Sequence, residues 1–410
     1  MKKIFKFIKE KLGPGLITGA SDDDPSGIVT YSIAGAKWGL DFIWTPLFTL
    51  PFMFYIQETC ARIALVTQRG LLFIIKNLYG FKISFIISIL MFLASTFNLS
   101  ANINAISMIF NYLFPYIPLW FYSILISIVI CLIIIILPYK KFSNLIKFLV
   151  IFLFSYIGLI FVVEVDWLNV FQKIVLPEIR FNKDWLLVFL AILGTTISPY
   201  MFFWQEEQEL EEIKNIKNIN VKQTLKFIRV DTFSGMFISN LIMFFIILTT
   251  GLILHPLGIY NIEGIDDLVN VLKPLLGKYS FLFFSLGIIG SALIAIPILA
   301  ATSAYILAEL FNKQATLDKK FNEALYFYIF IIFSIFLSNI FNFLGLSPIQ
   351  LLFYTAVIYG FLSPILIFMI LKISNDQNLM GDYKNKPINN LFLYLSLILM
   401  TLSSFIILVL

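Results

Sequence analysis

Apolar residues gather in eleven runs, at about 14–36, 42–66, 83–109, 118–138, 144–163, 186–207, 232–254, 279–310, 323–342, 347–371 and 390–410, with short polar connections between them. Many of these runs reach roughly 20 residues, the length that takes an α-helix across ~30 Å of hydrocarbon. The pattern predicts an all-α polytopic membrane protein of about 11 transmembrane helices, a single transmembrane domain over 1–410. Two runs are interrupted near their middles, the first by "DDDPSG" (22–27) and the sixth by "GTTISPY" (194–200). Read as five plus five plus one, the chain places these breaks at corresponding positions in its two halves. A matched pair of interrupted helices points to the binding site of an inverted-repeat transporter. The predicted organisation is an arm at 1–13, a first repeat at 14–163, a second at 186–371 and an extra helix at 390–410.

Composition strengthens this reading. The chain is 60% hydrophobic and 13% charged, where soluble domains carry roughly 25% charged residues. The net charge of +5 is scattered over loops, which argues for a lipid bilayer and against nucleic acid as the partner. The opening "MKKIFKFIKEK" starts like a signal peptide, but no small-residue cleavage site follows, so it is expected to remain as a basic cytoplasmic arm. With the N-terminus in the cytoplasm, the opposite side keeps only Lys37, Lys173, Arg180, Lys183, Lys273 and Lys278 of the 29 Lys and Arg. That asymmetry obeys the positive-inside rule and predicts a multi-pass protein of the cell membrane with an external C-terminus. Cys60 and Cys131 both lie inside apolar runs, so neither a disulfide nor a zinc site is expected. The single histidine, His255, reads as a loop residue, in the connection that also holds "NIEGIDDL".

The first break carries the chemistry. Pro25 lacks a backbone donor and biases Asp24 away from helical dihedrals, so the helix is expected to stop near Ser21 and restart near Ile28. Backbone carbonyls freed in lipid are tolerated only where they line a cavity or coordinate something. Each aspartate at a helix centre costs roughly 2.5–3.5 kcal/mol on insertion scales, so three approach about 10 kcal/mol unless compensated. Were "SDDDPSG" an exposed loop, it would leave pieces too short to span. Carboxylates beside free carbonyls attract a hard cation such as Mg²⁺, Ca²⁺ or Mn²⁺. In the sixth run, Pro199 frees the carbonyl of about Thr195, and Ser198 offers a hydroxyl.

Other positions have plainer readings beside functional ones. Glu58 and Arg62, spaced i, i+4, suggest an ion pair that acts as a structural or gate strut, with a role in transport as the alternative. "WQEEQELEE" (204–212) reads as a solvated helix end, or as an acidic vestibule with Gln205 and Glu206 facing the pathway. Thr355, Tyr359 and Ser363 share a side of the tenth run and either line a cavity or pack. No nucleophile set, phosphate loop, haem or iron–sulfur spacing appears, so an enzyme is not expected.

The stretch "GPGLITGASDDDPSGIVTYSIAGAKWGL" resembles the first helix of the Nramp family of divalent-metal transporters, which carries Asp-Pro-Gly-Asn there and Met-Pro-His in the sixth helix on a LeuT-like inverted-repeat fold. "IAIPILAATSAYILAELF" (294–311) and "NLMGDYKNK" (378–386) resemble a divergent bacterial branch of it. The resemblance implies that the metal-binding aspartate is Asp24, while Ser26 and Gly27 stand where the family has Gly-Asn, with Asp22 and Asp23 as substitutes for the missing Asn. Thr195 stands for the carbonyl donor, Ser198 for the Met ligand and Tyr200 for the His. Losing the thioether hardens the site. The third helix, where proton-coupled members carry acids, reads "FLASTFNLSANINAIS", with Asn98 and Asn102 one turn apart and no titratable relay.

Together these imply a secondary transporter that moves a divalent metal cation of the Mn, Fe or Mg class by alternating access, the metal being cargo rather than cofactor. The alternatives are a Na⁺-coupled carrier of organic solutes or amino acids on the same fold, and a membrane protein that binds metal without transporting it.

Overall fold

In a computed structural model of the chain, residues 13–137, 139–158, 160, 164–214, 219–260, 280–344 and 348–409 are described. The N-terminal arm before Gly13, the stretch "NIEGIDDL", Lys217, Lys273 and Lys278 lie outside these residues. Apart from the breaks in the first and sixth runs and a few residues at run ends, the eleven apolar runs are helical where they are described. The first consists of α1 (Pro14–Asp22) and α2 (Pro25–Trp38), followed by α3 (Thr45–Thr67) and a short α4 (Leu71–Tyr79). Then come α5 (Phe81–Leu113), α6 (Leu119–Ile136), α7 (Tyr139–Leu153) with its one-turn continuation α8 (Ser155–Gly158), and α9 (Trp167–Val175), which lies in the connection between the halves. The second half opens with α10 (Lys183–Thr196) and α11 (Pro199–Ile213) and continues with α12 (Val221–Ile253), α13 (Ser280–Leu310), α14 (Leu325–Phe343) and α15 (Pro348–Asn375). The last run is α16 (Pro387–Val409).

The first interruption is tighter than expected. The helix runs on to Asp22 and restarts at Pro25, so only Asp23 and Asp24 leave helical geometry. The reason is local. Proline fits the first helical position, where its missing N–H would have no partner anyway. Asp24 caps the new helix, its carboxylate accepting from the Ser26 and Gly27 amides. The sixth run breaks the same way, with Ile197 and Ser198 between helices and Pro199 opening α11.

The broken helices sit at the centre. Both α1 and α2 pack on α12, and α11 packs on α3. Behind them, α5 packs against α13, α14 and α15. The approach of α1 to α12 is so close that a methyl group on Gly19 would overlap the Gly235 backbone, and one on Gly15 would meet Thr232. Large apolar side chains such as Phe81, Ile86, Leu132, Ile136, Phe333 and Phe405 are exposed on the outside. A soluble monomer does not leave so much apolar surface uncovered, whereas hydrocarbon covers it without cost. Seven helices among the described residues are long and apolar enough to cross a membrane, and the protein is membrane-embedded.

The α1–α12 contact yields a prediction. Gly19→Val should lower the melting temperature of the detergent-purified protein, since overpacking costs about 1–3 kcal/mol. Gly194→Ala, with open space at the added methyl, should not lower it. Equal melting temperatures for wild type and Gly19→Val would show that the two helices do not touch.

Candidate cation site at the two helix breaks

Asp24 is held from two directions. Its Oδ1 accepts from the Ser26 amide at 2.8 Å, the Gly27 amide at 3.0 Å and the Ser26 hydroxyl. Its Oδ2 accepts from Asn98 Nδ2 at 3.1 Å and, more weakly, from Asn102 Nδ2 at 3.5 Å. The better bonds of Asn102 go back to Asn98, to its carbonyl at 2.8 Å and its side-chain oxygen at 2.9 Å. The start of α2 and the middle of α5 thus meet on one carboxylate. An acid at a helix N-terminus is favoured by both its free amides and its dipole, and here those amides replace the water that the membrane lacks.

The second break faces the first. The hydroxyl of Thr195 lies 3.5 Å from where a side-chain carbon on Gly27 would sit. Ser198 Oγ is 2.8 Å from the Thr195 carbonyl and 3.0 Å from the Gly194 carbonyl. One hydroxyl has one proton, so it is shared between two carbonyls that the end of α10 leaves without helical partners. Each carbonyl keeps a lone pair for another donor or a cation. The Ile197 carbonyl accepts from the Ser363 hydroxyl at 3.3 Å.

A cavity of about 210 Å³ opens between the breaks, lined among others by Ser26, Asn98, Thr195, Ser198, Thr355 and Tyr359. The remaining lining comes from α2, α10 and α15, so the cavity lies on the side reached by the C-terminal half of the first broken helix and the N-terminal half of the second. The opposite side is closed. Tyr200 Oη donates to the Ser21 carbonyl at 2.8 Å, tying the first turn of α11 to the last turn of α1. At the far end of α1, Asp231 of α12 accepts from the amides of Gly13 and Gly15, both at 2.7 Å, and of Leu16 at 3.3 Å. A carboxylate thus latches the N-terminus of α1. Sequence reasoning passed over Asp231 because it stands just before the seventh apolar run. Its signal was an acid one helix turn ahead of a glycine, "DTFSG", facing a helix that itself begins Gly-Pro-Gly.

The remaining predicted residues fall into three groups. Asp22 and Asp23 are as buried as Asp24, at 2%, 0% and 2% exposure, and none of the three lines the cavity itself. Asp22 Oδ2 accepts from Ser239 of α12 at 2.8 Å, which no feature of the sequence had singled out. Glu58 and Arg62 lie apart from both breaks and form a buried strut. Arg62 Nη2 is 3.2 Å from Glu58, whose carboxylate also accepts from Arg229 at 3.0 Å and Asn389 at 2.9 Å. Arg62 further donates to the Tyr383 carbonyl at 2.6 Å and to Asn385 at 2.7 Å. The structural reading of this pair fits the geometry.

The solvated-end reading of 204–212 does not hold. Gln205, Glu206, Glu207, Gln208, Glu209 and Glu211 are all buried, because α11 is enclosed by α3, α13 and α4. Gln205 donates to Glu209 at 2.9 Å. Glu211 accepts from Tyr305 at 3.0 Å, Thr316 at 2.9 Å and the Leu317 amide at 2.9 Å, anchoring the connection after α13. Glu206 faces inward with no hydrogen-bond partner for either oxygen.

Among the described residues, no three His, Cys, Asp or Glu side chains converge as a metal cage. The cavity lining itself offers neutral oxygens, and the nearest carboxylate is that of Asp24, which borders the cavity through Ser26 and Asn98. That donor set has no sulfur and no imidazole, which suits hard ions that keep part of their hydration shell.

Comparison with known proteins agrees with this architecture. The chain is 22% identical over 399 residues to the divalent metal cation transporter MntH of Caldanaerobacter subterraneus, covering 95% of this chain and 90% of that one. It is 26% identical over 398 residues to the metal transporter Nramp3 of Oryza sativa, covering 94% and 70%. The manganese transporter of Eremococcus coleocola superposes with a TM-score of 0.74 at 18% identity, covering 98% and 87%. Mhp1, a nucleobase-cation-symport-1 transporter, superposes with a TM-score of 0.56 at 13% identity, covering 96% and 92%. These structural likenesses show the fold, a LeuT-like inverted repeat with the first and sixth helices broken. Residues 15–410 match the family described as natural resistance-associated macrophage protein-like, and with that match over almost its whole length the chain belongs to the Nramp family.

Proposed function

We propose that this protein is a secondary transporter that carries a divalent metal cation across the cell membrane by alternating access. Asp24 is the central ligand. The Ser26 and Ser198 hydroxyls, the Thr195 carbonyl and water complete the shell. The observation that carries this reading is the placement of Asp24: a carboxylate at a mid-chain helix break, beside a cavity, with no Lys or Arg paired to it among the described residues. An ionised group so placed needs a counter-charge, and a cation entering the cavity supplies it. The metal transporters among its relatives support the same class of cargo.

Oxygen-only ligation favours Mg²⁺ and Mn²⁺ over soft ions such as Cd²⁺. Asn98 and Asn102 hold Asp24 by neutral donors, so α5 offers no proton relay. Loop charges put the N-terminus in the cytoplasm, which makes the cavity external and the contacts of Tyr200 and Asp231 an inner gate in its closed state. Transport then requires α1 and α11 to part on the cytoplasmic side while the outer halves close. The two broken helices rock against a scaffold formed by the other helices of the repeats at 14–163 and 186–371.

Three outcomes are expected. In proteoliposomes, wild type should take up Mg²⁺ and Mn²⁺, and Asp24→Ala should lose uptake to background, while unchanged flux would remove Asp24 from the mechanism. Saturable binding without flux would instead mark a non-transporting metal-binding protein. Next, Asp24→Asn keeps an oxygen for the cap whereas Asp24→Ala does not, so the alanine variant should be less stable by about 0.5–2 kcal/mol in thermal melts. Finally, Ser198→Met should raise Cd²⁺ uptake relative to Mg²⁺ in a competition assay; an unaltered ratio would place Ser198 outside the coordination shell.

A further inference from the structure

The three aspartates at the first break do not face the same way. Asp24 faces α5 through Asn98, while Asp22 faces α12 through Ser239. None of the three carboxylates lines the cavity itself, but two partners of Asp24, Ser26 and Asn98, do, whereas Ser239, the partner of Asp22, does not. We propose that Asp22 and Asp23, with Ser239 and Tyr31, form a second cation site that takes one small monovalent ion, sodium, apart from the divalent cargo at Asp24; the division of roles rests on the reading of Asp24 as cargo ligand.

The observations are these. Both oxygens of Asp23 and the Oδ1 of Asp22 have no hydrogen-bond partner, though both residues are buried. Ser239 lies near both carboxylates but has a single proton, and its 2.8 Å bond delivers it to Asp22. Tyr31 contributes an independent oxygen. It is fully buried, its hydroxyl has no partner, and its electrostatic neighbours are Asp22, Asp23, Asp24 and Tyr200. No Lys or Arg ion pair reaches any of the three aspartates among the described residues.

Unpaired carboxylates in a dry site require either protons or cations. A proton carried by one acid and shared with the other would engage at most two of the three free carboxylate oxygens and would leave the Tyr31 hydroxyl without a partner, whereas one cation can meet all of them. Every free atom is oxygen, which selects a hard ion. Charge then sets the valence. Three carboxylates with a divalent cargo leave one negative charge, and one sodium ion neutralises it. An ion at Asp22 and Asp23 would also fix the loop between α1 and α2 that positions Asp24, which ties sodium occupancy to cargo affinity.

The test is binding of radioactive sodium to the purified full chain, together with divalent uptake in proteoliposomes in which sodium is replaced by choline at fixed pH and membrane potential. About one sodium per chain is expected, and replacement by choline should weaken divalent uptake roughly 5–150-fold, the usual span of coupling between two sites. Asp23→Asn and Ser239→Ala should lose sodium binding, whereas Asp24→Asn should lose divalent binding and keep sodium. No sodium bound to wild type, or equal uptake in sodium and choline, overturns the second site. Stimulation of uptake by protons instead of sodium overturns it as well. Divalent flux that persists in Asp24→Ala defeats the cargo assignment alone, because sodium binding is measured without cargo.

Discussion

A helix that begins in the middle of a membrane has free amides and no water to satisfy them. Asp24 solves this for α2: one of its oxygens takes the Ser26 and Gly27 amides, and the other is left to face Asn98. Because the cap is a carboxylate, the same bonds that allow the chain to break also place a negative charge beside a cavity. The backbone constraint and the candidate chemistry are thus one feature. The rest of the core follows from keeping that break in place, with α12 packed so tightly on α1 that only glycine fits at positions 19 and 235.

The second break answers the first with weaker dipoles. Ser198 turns back onto the carbonyls of Gly194 and Thr195, so the end of α10 shares one donor between two acceptors, and α11 begins at proline. The two half-helices on the N-terminal side are cross-tied by Tyr200 and latched by Asp231. Those contacts are few, one side-chain hydroxyl and one carboxylate on backbone groups of α1. The strut around Glu58, Arg62, Arg229 and Asn389 is of another kind: it is buried, has several partners and joins α3, α12 and α16. Removing one member of such a set leaves a buried charge unpaired, which suits a part of the frame more than a moving element.

Much of this was legible beforehand. The apolar runs and the paired breaks follow from residue types at fixed spacing, since proline and aspartate within an apolar run have few physical explanations, whereas singling out Asp24 and Ser26 came from the resemblance to the Nramp family. The extent of the break was less legible. Sequence reasoning ended the helix at Ser21, while α1 continues to Asp22 because the Asp24 cap allows α2 to restart at once at Pro25. The acidic stretch at 204–212 misled for a different reason. Glutamates following a transmembrane run ordinarily meet water, and only the neighbours of α11 show that these are enclosed. Asn98 and Asn102 were seen as a shared face, but their partner was not visible in the third run alone.

By itself, then, the sequence determined that the chain spans the membrane many times, that two helices are broken at matched points, and that the first break carries carboxylates. These depend on local chemistry: hydrophobic length, the missing amide of proline and the cost of charge in lipid. Only the tertiary structure decided which way each aspartate faces, that Ser239 and Asp231 reach α1 from more than 200 residues away, and that one side of the break is shut while the other holds a cavity. Those features depend on which helices lie against the break, and contacts between distant segments leave no periodic trace in the chain.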